Sequence, residues 1–502
     1  MIETPARDFG LPRTLAILAF VALVAYPLSR VLQRADFGGV PPRELWSTAA
    51  VSLEQAGWSL AFSLAIGVPL GIFYAGAWSR WLRGLTFAAF ALPALVVVGT
   101  AQICLRGTSF RFGLFAVVAA HAFLNAPWIA SATAEGILST PRSWVEAART
   151  LGATRTRAFL RIEFPWIGRR IAIAAAQVFA LCLMSFVVVM VLGGGPPMST
   201  LETEIYASVR GRGLELGRAA WFASAELAFA ALPLLAVSGL RGPRAFRDSA
   251  SARRSRKKTS GARRGFAHAI AAAWVLLPAA CFLATSSVRG LEDLFSREDF
   301  RDALAVSLQL GFAGAATTIA VGGAFAWGAR NSRFVRILAA VPAGLSPLLV
   351  ALGFFLAYSS FIDPFEGSLA GMVLVQAALF LPFTLRFFLP LLDEASTGSR
   401  RELRNAARTL GASPIVAWRK LEWPRWRSAG LRLAALVFVW SFSEVAAASF
   451  FGSERLTTLG VLLVRWMAQY RFEDVSAVLF GIYLFSSAVL VAVGFGEREE
   501  AA

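Results

Sequence analysis

The sequence predicts an all-α polytopic membrane protein whose twelve transmembrane helices form two homologous six-helix units. Three observations predict it. Hydrophobic residues make up 57% of the 502 positions and charged residues 16%, which leaves too little polar surface to clothe soluble domains of that total length. Apolar runs of about 20 residues, the length that crosses a bilayer, recur twelve times, six on each side of a polar break. The string Ala147, Ala148, Arg149, Thr150, Leu151, Gly152, Ala153 recurs unchanged from Ala406 to Ala412, and self-similarity at long period marks a duplicated unit.

In the first unit, residues 1–240, the runs lie near 15–32, 49–77, 85–105, 113–134, 171–192 and 219–240. In the second, residues 266–502, they lie near 266–286, 303–329, 334–358, 368–392, 430–450 and 475–494. No small-residue cleavage site follows the first run, so it reads as a retained helix and not a signal peptide. Residues 241–265 form a basic linker with ten Lys or Arg and one acid, Asp248.

The net charge of +18 raises a nucleic-acid reading, and its distribution argues against one. The run Arg253, Arg254, Arg256, Lys257, Lys258 has no interleaved aromatic. Other basic residues gather in alternate loops: Arg80 and Arg83; seven arginines in 135–170; Arg330, Arg333 and Arg336; and eight Lys or Arg in 393–428. The intervening loops carry acids such as Glu202, Glu204, Glu292, Asp293, Glu298, Asp299, Asp363 and Glu366. That alternation follows the positive-inside rule and predicts that the linker and both termini are cytoplasmic. The basic loops then meet lipid headgroups, not nucleic acid.

Other chemistry is sparse. Cys104, Cys182 and Cys281 lie far apart in apolar stretches without CxxC spacing, which suggests neither a disulfide nor a thiolate metal site. The two histidines, His121 and His268, cannot form a cluster alone, and His121 reads as buried and hydrogen-bonded. The three lysines, Lys257, Lys258 and Lys420, fall in no Gly-Lys-Ser/Thr motif, so no phosphate-cradling loop, catalytic residue or bound cofactor is expected.

The repeated string sits in the large basic loop between the fourth and fifth runs of each unit, about 135–170 and 393–428. At matching positions Ala158 meets Ala417, Glu163 meets Glu422 and Pro165 meets Pro424. Earlier, Val51-Ser52-Leu53 corresponds to Val306-Ser307-Leu308 and Pro127 to Pro382. Ser143 with Glu146, and Ser399 with Glu402, have capping-box spacing. Gly152 and Gly411 are natural helix stops, Thr154 and Ser413 can cap a second helix, and Pro165 and Pro424 suit the first turn of the next span. Each loop thus predicts a helix-turn-helix elbow along the membrane face. Its Ala-Ala pair, small and nominally exposed, leaves the backbone open to close approach by another protein.

On those residues the elbow resembles the coupling loop of ABC importer permeases, whose Glu-Ala-Ala signature followed by Gly seats against an ATP-hydrolysing subunit. The resemblance implies ATPase coupling at Glu146, Ala147, Ala148, Arg149 and Gly152, and at Asn405, Ala406, Ala407, Arg408 and Gly411. Asn405 departs from the pattern, which has Glu there, and Glu146 has the alternative role of capping its own helix. The implied partners are two copies of an ATP-binding subunit, which hold ATP and Mg, and an extracytoplasmic solute-binding protein. The implied location is the bacterial inner membrane.

A single chain with two six-helix units further resembles the fused permeases of importers for thiamine and for ferric iron. Leu192-Gly193-Gly194-Gly195-Pro196, Thr200-Leu201-Glu202 and Ile205-Tyr206 carry the likeness in the first unit. Phe451-Gly452-Ser453, Thr457-Thr458-Leu459 and Tyr470-Arg471 carry it in the second. The resemblance implies import of a small cationic solute, with thiamine or its phosphates favoured and ferric iron as the alternative.

Within the spans, Glu444 in Trp440-Ser441-Phe442-Ser443-Glu444 is the clearest functional candidate, because ionisable groups in membranes are costly. It either faces a cationic cargo or is neutralised by a hydrogen bond near a span end. Ser185-Phe186 aligns with Ser441-Phe442, which makes the fifth spans the expected cavity wall. Gln177, Gln376 and the tryptophans are expected to pack or to anchor. The competing class, an ion-coupled secondary transporter, needs more buried carboxylates and has no use for paired elbows.

Overall fold

The computed structural model describes residues 11–36, 40–195, 198–211, 213–238, 260–285, 294–329, 332–338, 341–361, 366–396 and 399–494. The basic run 253–258, Pro196, Glu292, Asp293, Arg330, Asp363 and both chain ends lie outside the described residues. Among the described residues every regular element is helical.

In the first unit, α1 is Arg13–Arg34, α2 Pro42–Ala75, α3 Arg80–Phe90, α4 Ala94–Cys104 and α5 Leu114–Ser139. Then follow α6 Arg142–Thr150, α7 Phe164–Leu183, α8 Phe186–Leu192, α9 Leu201–Tyr206 and α10 Leu216–Ser238. The second unit repeats the order with α11 Gly261–Thr285, α12 Glu298–Ala329, α13 Arg333–Leu338, α14 Pro347–Tyr358 and α15 Leu369–Ser396. It ends with α16 Ser399–Thr409, α17 Trp423–Phe442, α18 Ala446–Phe451, α19 Leu459–Ala468 and α20 Phe472–Gly494.

Among the described residues, nine helices are long and apolar enough to cross a membrane, or ten when the bent pair α3–α4 counts as one span. The other two of the twelve expected runs, 334–358 and 430–450, are divided into shorter helices. Proline accounts for the third-span breaks. α3 and α4 meet at 81° where Ala91-Leu92-Pro93 separates them, and Pro347 opens α14 after a similar interruption. Proline lacks an N–H and pushes the preceding residue out of the helical region, so a helix ends there.

The edges of the expected loops also shift. α5 runs on to Ser139 and α15 to Ser396, past the expected loop starts at 135 and 393, and α11 begins at Gly261 inside the expected linker. Apolarity stops at the first charge, but Glu, Lys and Arg are good helix formers, so the helices continue beyond the apolar run. α2 has 34 residues and α12 has 32, about 50 Å each, against about 30 Å of hydrocarbon.

The duplication is visible in side-chain detail. Leu201 N–H donates to Ser52 Oγ at 2.8 Å, and Leu459 N–H donates to Ser307 Oγ at 2.8 Å. A Cβ added to Gly67 would stand 2.6 Å from Ile129 Cβ, and the equivalent Gly322 abuts Thr384, so glycine lets the second and fourth spans touch in both units. Before each sixth span lies a non-glycine residue with positive φ, Leu214 at 66° and Tyr470 at 60°. An ion cluster follows with its signs reversed. Arg218 gathers Glu44, Glu204 and Glu215, whereas Asp474 gathers Arg297 and Arg471.

The units are interleaved, because each first span packs on the other unit's broken third span. Tyr358 Oη donates to the Ala22 carbonyl at 2.7 Å, and Gly353 lies against Pro27. In the other direction α11 packs on α3 and α4, with His268 Nε2 paired to Ser79 Oγ at the start of α3 at 2.8 Å. It also reaches the fourth span, where Trp274 stacks on Phe123 at 5.1 Å and donates to its carbonyl. One large apolar core therefore runs through both units, with smaller clusters beside it.

Candidate functional site

The two elbows match bond for bond. Gly152 and Gly411 take φ of +84° and +82°. Gly152 N–H donates to Arg149 O at 3.0 Å and Ala153 N–H to Ala148 O at 2.9 Å. Gly411 N–H to Arg408 O and Ala412 N–H to Ala407 O repeat those distances. This is the Schellman arrangement, in which a left-handed C′ residue closes the last helical turn. Nothing lies within 4 Å of a Cβ built on either glycine, so backbone conformation and not crowding within the chain demands glycine here.

The second half of each elbow starts as the caps predict. Thr154 Oγ1 accepts from Arg157 N–H and Ser413 Oγ from Val416 N–H, both at 3.3 Å. A π-helical turn follows in each, Phe159–Glu163 and Trp418–Glu422, before Pro165 or Pro424 enters the first turn of the fifth span. The capping boxes are a different matter. α6 starts at Arg142 behind Pro141 with no side-chain cap, so Ser143 lies inside the helix and does not cap it. A proline can end the chain's approach to a helix without a hydroxyl, since N-terminal N–H groups at an exposed end bond to water. In the second elbow Glu402 lies in the first turn of α16, and the Ser399 side chain lies outside the described residues.

Glu146, Ala147, Arg149 and Gly152 are exposed, as are Asn405, Ala406, Arg408 and Gly411; Ala148 and Ala407 are half-buried. Both elbows carry a residue that sequence reasoning passed over. Leu151 and Leu410, each immediately before the glycine, are 87% exposed. Their signal was present in the repeated string, as an apolar residue at a helix C-cap where the chain turns away from its own core. Two equally exposed leucines in equivalent places make a pair of apolar knobs flanked by arginine.

The fifth spans lead from the elbows to a second pair of sites. α7 stops at Leu183 and resumes as α8 after Met184-Ser185; α17 stops at Phe442 and resumes as α18 after 443–445. At the first break Ser185 Oγ lies 2.8 Å from His121 Nε2, and His121 Nδ1 lies 3.0 Å from Ser59 Oγ. Asn125 donates to the His121 carbonyl at 2.9 Å, and Gln55 donates to the Cys182 carbonyl freed by the break at 2.8 Å. Phe186 is buried against Tyr206.

At the second break Ser441 Oγ donates to Gln376 Oε1 at 3.3 Å, and Gln376 Nε2 donates to Glu444 Oε2 at 2.6 Å. The other carboxylate oxygen accepts from Ala447 N–H at 2.9 Å at the start of α18, and Thr458 Oγ1 donates to the Glu444 carbonyl at 2.9 Å. Trp440 Nε1 crosses to the first unit's third-span break, donating to the Ala91 carbonyl at 3.2 Å.

Gln376, expected as packing, is thus the link between Ser441 and Glu444. It occupies the position of His121 in the repeat, since each stands six residues before the matching prolines 127 and 382. Ser185 and Ser441 therefore make the same contact to the same point of the fourth span. Glu444 has no carboxylate counterpart in the first unit, where Val188 follows Phe186 at the matching place and is buried. Among the described residues no three His, Cys, Asp or Glu gather as a metal site.

Residues 63–240, which include the first elbow and the first broken fifth span, match the family described as the inner membrane component of binding-protein-dependent transport systems. The chain is similar over its whole length to the thiamine transport system permease protein of Brucella abortus strain 2308, at 29% identity and covering 99% of that relative. It is 27% identical to the protein of the same description from Haemophilus influenzae, over 88% of this chain and 86% of that one. A shorter match, 27% identical over 37% of this chain, is to the glycine betaine/proline betaine transport system permease of Escherichia coli K12. Residues 63–240 thus carry the transport-permease domain, and the chain, whose halves repeat one elbow and one broken span, is similar end to end to permeases of the fused two-unit form.

Proposed function

We propose that this permease carries thiamine or its phosphates into the cytoplasm, with two copies of a separate ATP-binding subunit seated on its two elbows. The observation that carries the cargo is the alignment over all of this chain with permeases described as thiamine transporters. The observation that carries the stoichiometry is the pair of elbows with one geometry and one exposed leucine each. Glu146, Ala147, Ala148, Arg149 and Gly152 form one seat, and Asn405, Ala406, Ala407, Arg408 and Gly411 the other. ATP and Mg stay on the partner. A solute-binding protein delivers cargo at the opposite face, and the basic elbows, linker and termini are cytoplasmic.

In this account the fifth spans are the levers. α7 and α17 each have 20 residues, about 30 Å of helix, running from an elbow to a break. Closure of the ATPase pair displaces both elbows together, and the helices carry that displacement to the His121–Ser185 and Gln376–Ser441–Glu444 contacts. Breaking those hydrogen bonds parts the fourth and fifth spans and opens the path. Glu444 supplies the negative charge for a cationic solute, while Phe186 and Trp440 supply aromatic surface beside the breaks.

Uptake of labelled thiamine and of ferric iron in a strain lacking this chain, with and without the chain restored, tests the cargo. The expected result is thiamine uptake that depends on the chain and unchanged iron uptake. Iron uptake that depends on the chain, with thiamine uptake unaffected, would replace this cargo with the alternative named from sequence.

A further inference from the structure

The three cysteines were expected to stay apart, and two do not. Cys104 is the last residue of α4, in the first unit's third span, and Cys281 lies one turn before Thr285 at the end of α11, the second unit's exchanged first span. Their sulfurs are 3.2 Å apart although 177 residues separate them in sequence. We propose that Cys104 and Cys281 are the two ends of an inter-unit disulfide, a covalent modification that joins the halves of the permease at the face opposite the elbows.

Geometry, access and compartment carry the proposal. A disulfide bond is about 2.05 Å long, so the sulfurs have about 1 Å to close, a movement within the reach of side-chain rotation. Cys104 is exposed and Cys281 half-buried. Beside them a cavity of about 220 Å³ is lined by the apolar Ile103, Ala284 and Phe472 together with polar groups that include Arg106, Arg111 and Glu473. The third cysteine, Cys182, is fully buried on α7 and is an internal control. The compartment rests on the topology proposed above, which places this end outside the cytoplasm, where disulfides persist.

The chemistry balances as thiol–disulfide exchange with a disulfide oxidant of that compartment, either an oxidoreductase or a small-molecule disulfide. The thiolate of exposed Cys104 attacks the oxidant's disulfide, forms a mixed disulfide and releases one thiol. The Cys281 thiolate then attacks the Cys104 sulfur and releases the second thiol. Two protein thiols are oxidised to one disulfide, one oxidant disulfide is reduced to two thiols, and the two protons leave on those thiols. The product ties α4 to α11. It fixes the first-span exchange independently of the basic linker, which is otherwise the one covalent link between the units.

The test uses the full chain in its own membrane, with a protease site inserted after Ala250. Thiols are blocked in intact cells with N-ethylmaleimide, the site is cut, and the products are run on a denaturing gel without reductant. The proposal expects the cut halves to migrate together until dithiothreitol is added. Cys104→Ser and Cys281→Ser should each separate the halves without reductant, and Cys182→Ser should not. Halves that separate from the unsubstituted chain without reductant, with both thiols alkylated, overturn the proposal. A second variant, Thr108→Cys with the three native cysteines replaced by serine, separates this failure from failure of the topology. Labelling of Thr108→Cys by a membrane-impermeant maleimide from outside leaves the topology standing when the halves part, and labelling from inside alone overturns both.

Discussion

The two halves of this permease are alike at the elbows and unlike at the breaks. At the elbows the Schellman bonds agree to 0.1 Å, the glycine φ angles to within a few degrees and the leucine exposures to the percentage point. At the breaks one serine meets a histidine and the other a glutamine that holds a carboxylate. Under the proposed function, a surface that would receive two copies of one partner is held to one shape twice. Under the same proposal, a path that carries a single asymmetric solute is under no such requirement, and Glu444 would give its charge from one side alone.

Four pairs of substitutions can break or sharpen that comparison. The largest effect is expected from Gly152→Pro and Gly411→Pro. Proline is pinned near φ −65° and cannot donate the N–H that reaches Arg149 O or Arg408 O, at a cost of about 3 kcal/mol or more. The docking-competent population should fall about 100-fold. ATP-dependent uptake should be lost in each variant, and normal uptake in either one would show that its elbow is not a coupling element.

Next come Leu151→Ala and Leu410→Ala. Both side chains are exposed in the free permease, so the fold should be unaffected. Burial of each against a partner is worth about 2 kcal/mol, so binding of the ATP-binding subunit should weaken about 30-fold at that site. Equal losses support equivalent seats; a loss at Leu151 alone would tie the asymmetry to Asn405.

Glu444→Gln should act on the breaks and spare the elbows. Removing the charge but keeping an acceptor for Ala447 N–H should raise the KM for a cationic solute about 10-fold, about 1.4 kcal/mol, with ATPase binding unchanged. His121→Gln copies the second unit's residue into the first and should change KM less. If Glu444→Gln leaves KM untouched, the carboxylate is a helix cap and not a cargo group.

The smallest effect is expected from Ser52→Ala and Ser307→Ala. Each removes one hydrogen bond to the first backbone N–H of α9 or α19, worth about 1 kcal/mol. Thermal unfolding of the detergent-solubilised protein should show similar small losses. A large loss in one unit alone would mean that the repeat does not share load as its matching bonds imply.

The elbows were legible because their signals are local. Gly152, Thr154 and Pro165 each dictate backbone geometry within a few residues, and the same holds for Gly411, Ser413 and Pro424. The spans were legible from apolar length, except where Pro93 and Pro347 divide a run whose composition stays apolar throughout. What sequence missed depends on partners far along the chain. Gln376 looked like packing until its register with His121 was joined to the Ser441 contact. Cys104 and Cys281 looked unrelated because spacing says nothing of a first span that crosses to the other unit. Leu151 and Leu410 were hidden by an apolarity that elsewhere in the chain means burial in core or lipid.

The central claim is that both elbows seat an ATP-binding subunit, and site-specific photocrosslinking tests it most directly. A benzophenone amino acid placed at position 151, at 410, or at both would be irradiated in native membranes with the ATP-binding subunit co-expressed. The account predicts a crosslink from each single position and a species carrying two ATPase copies from the double replacement. Absence of any ATPase crosslink from either position, in a chain that still supports thiamine uptake, would contradict it.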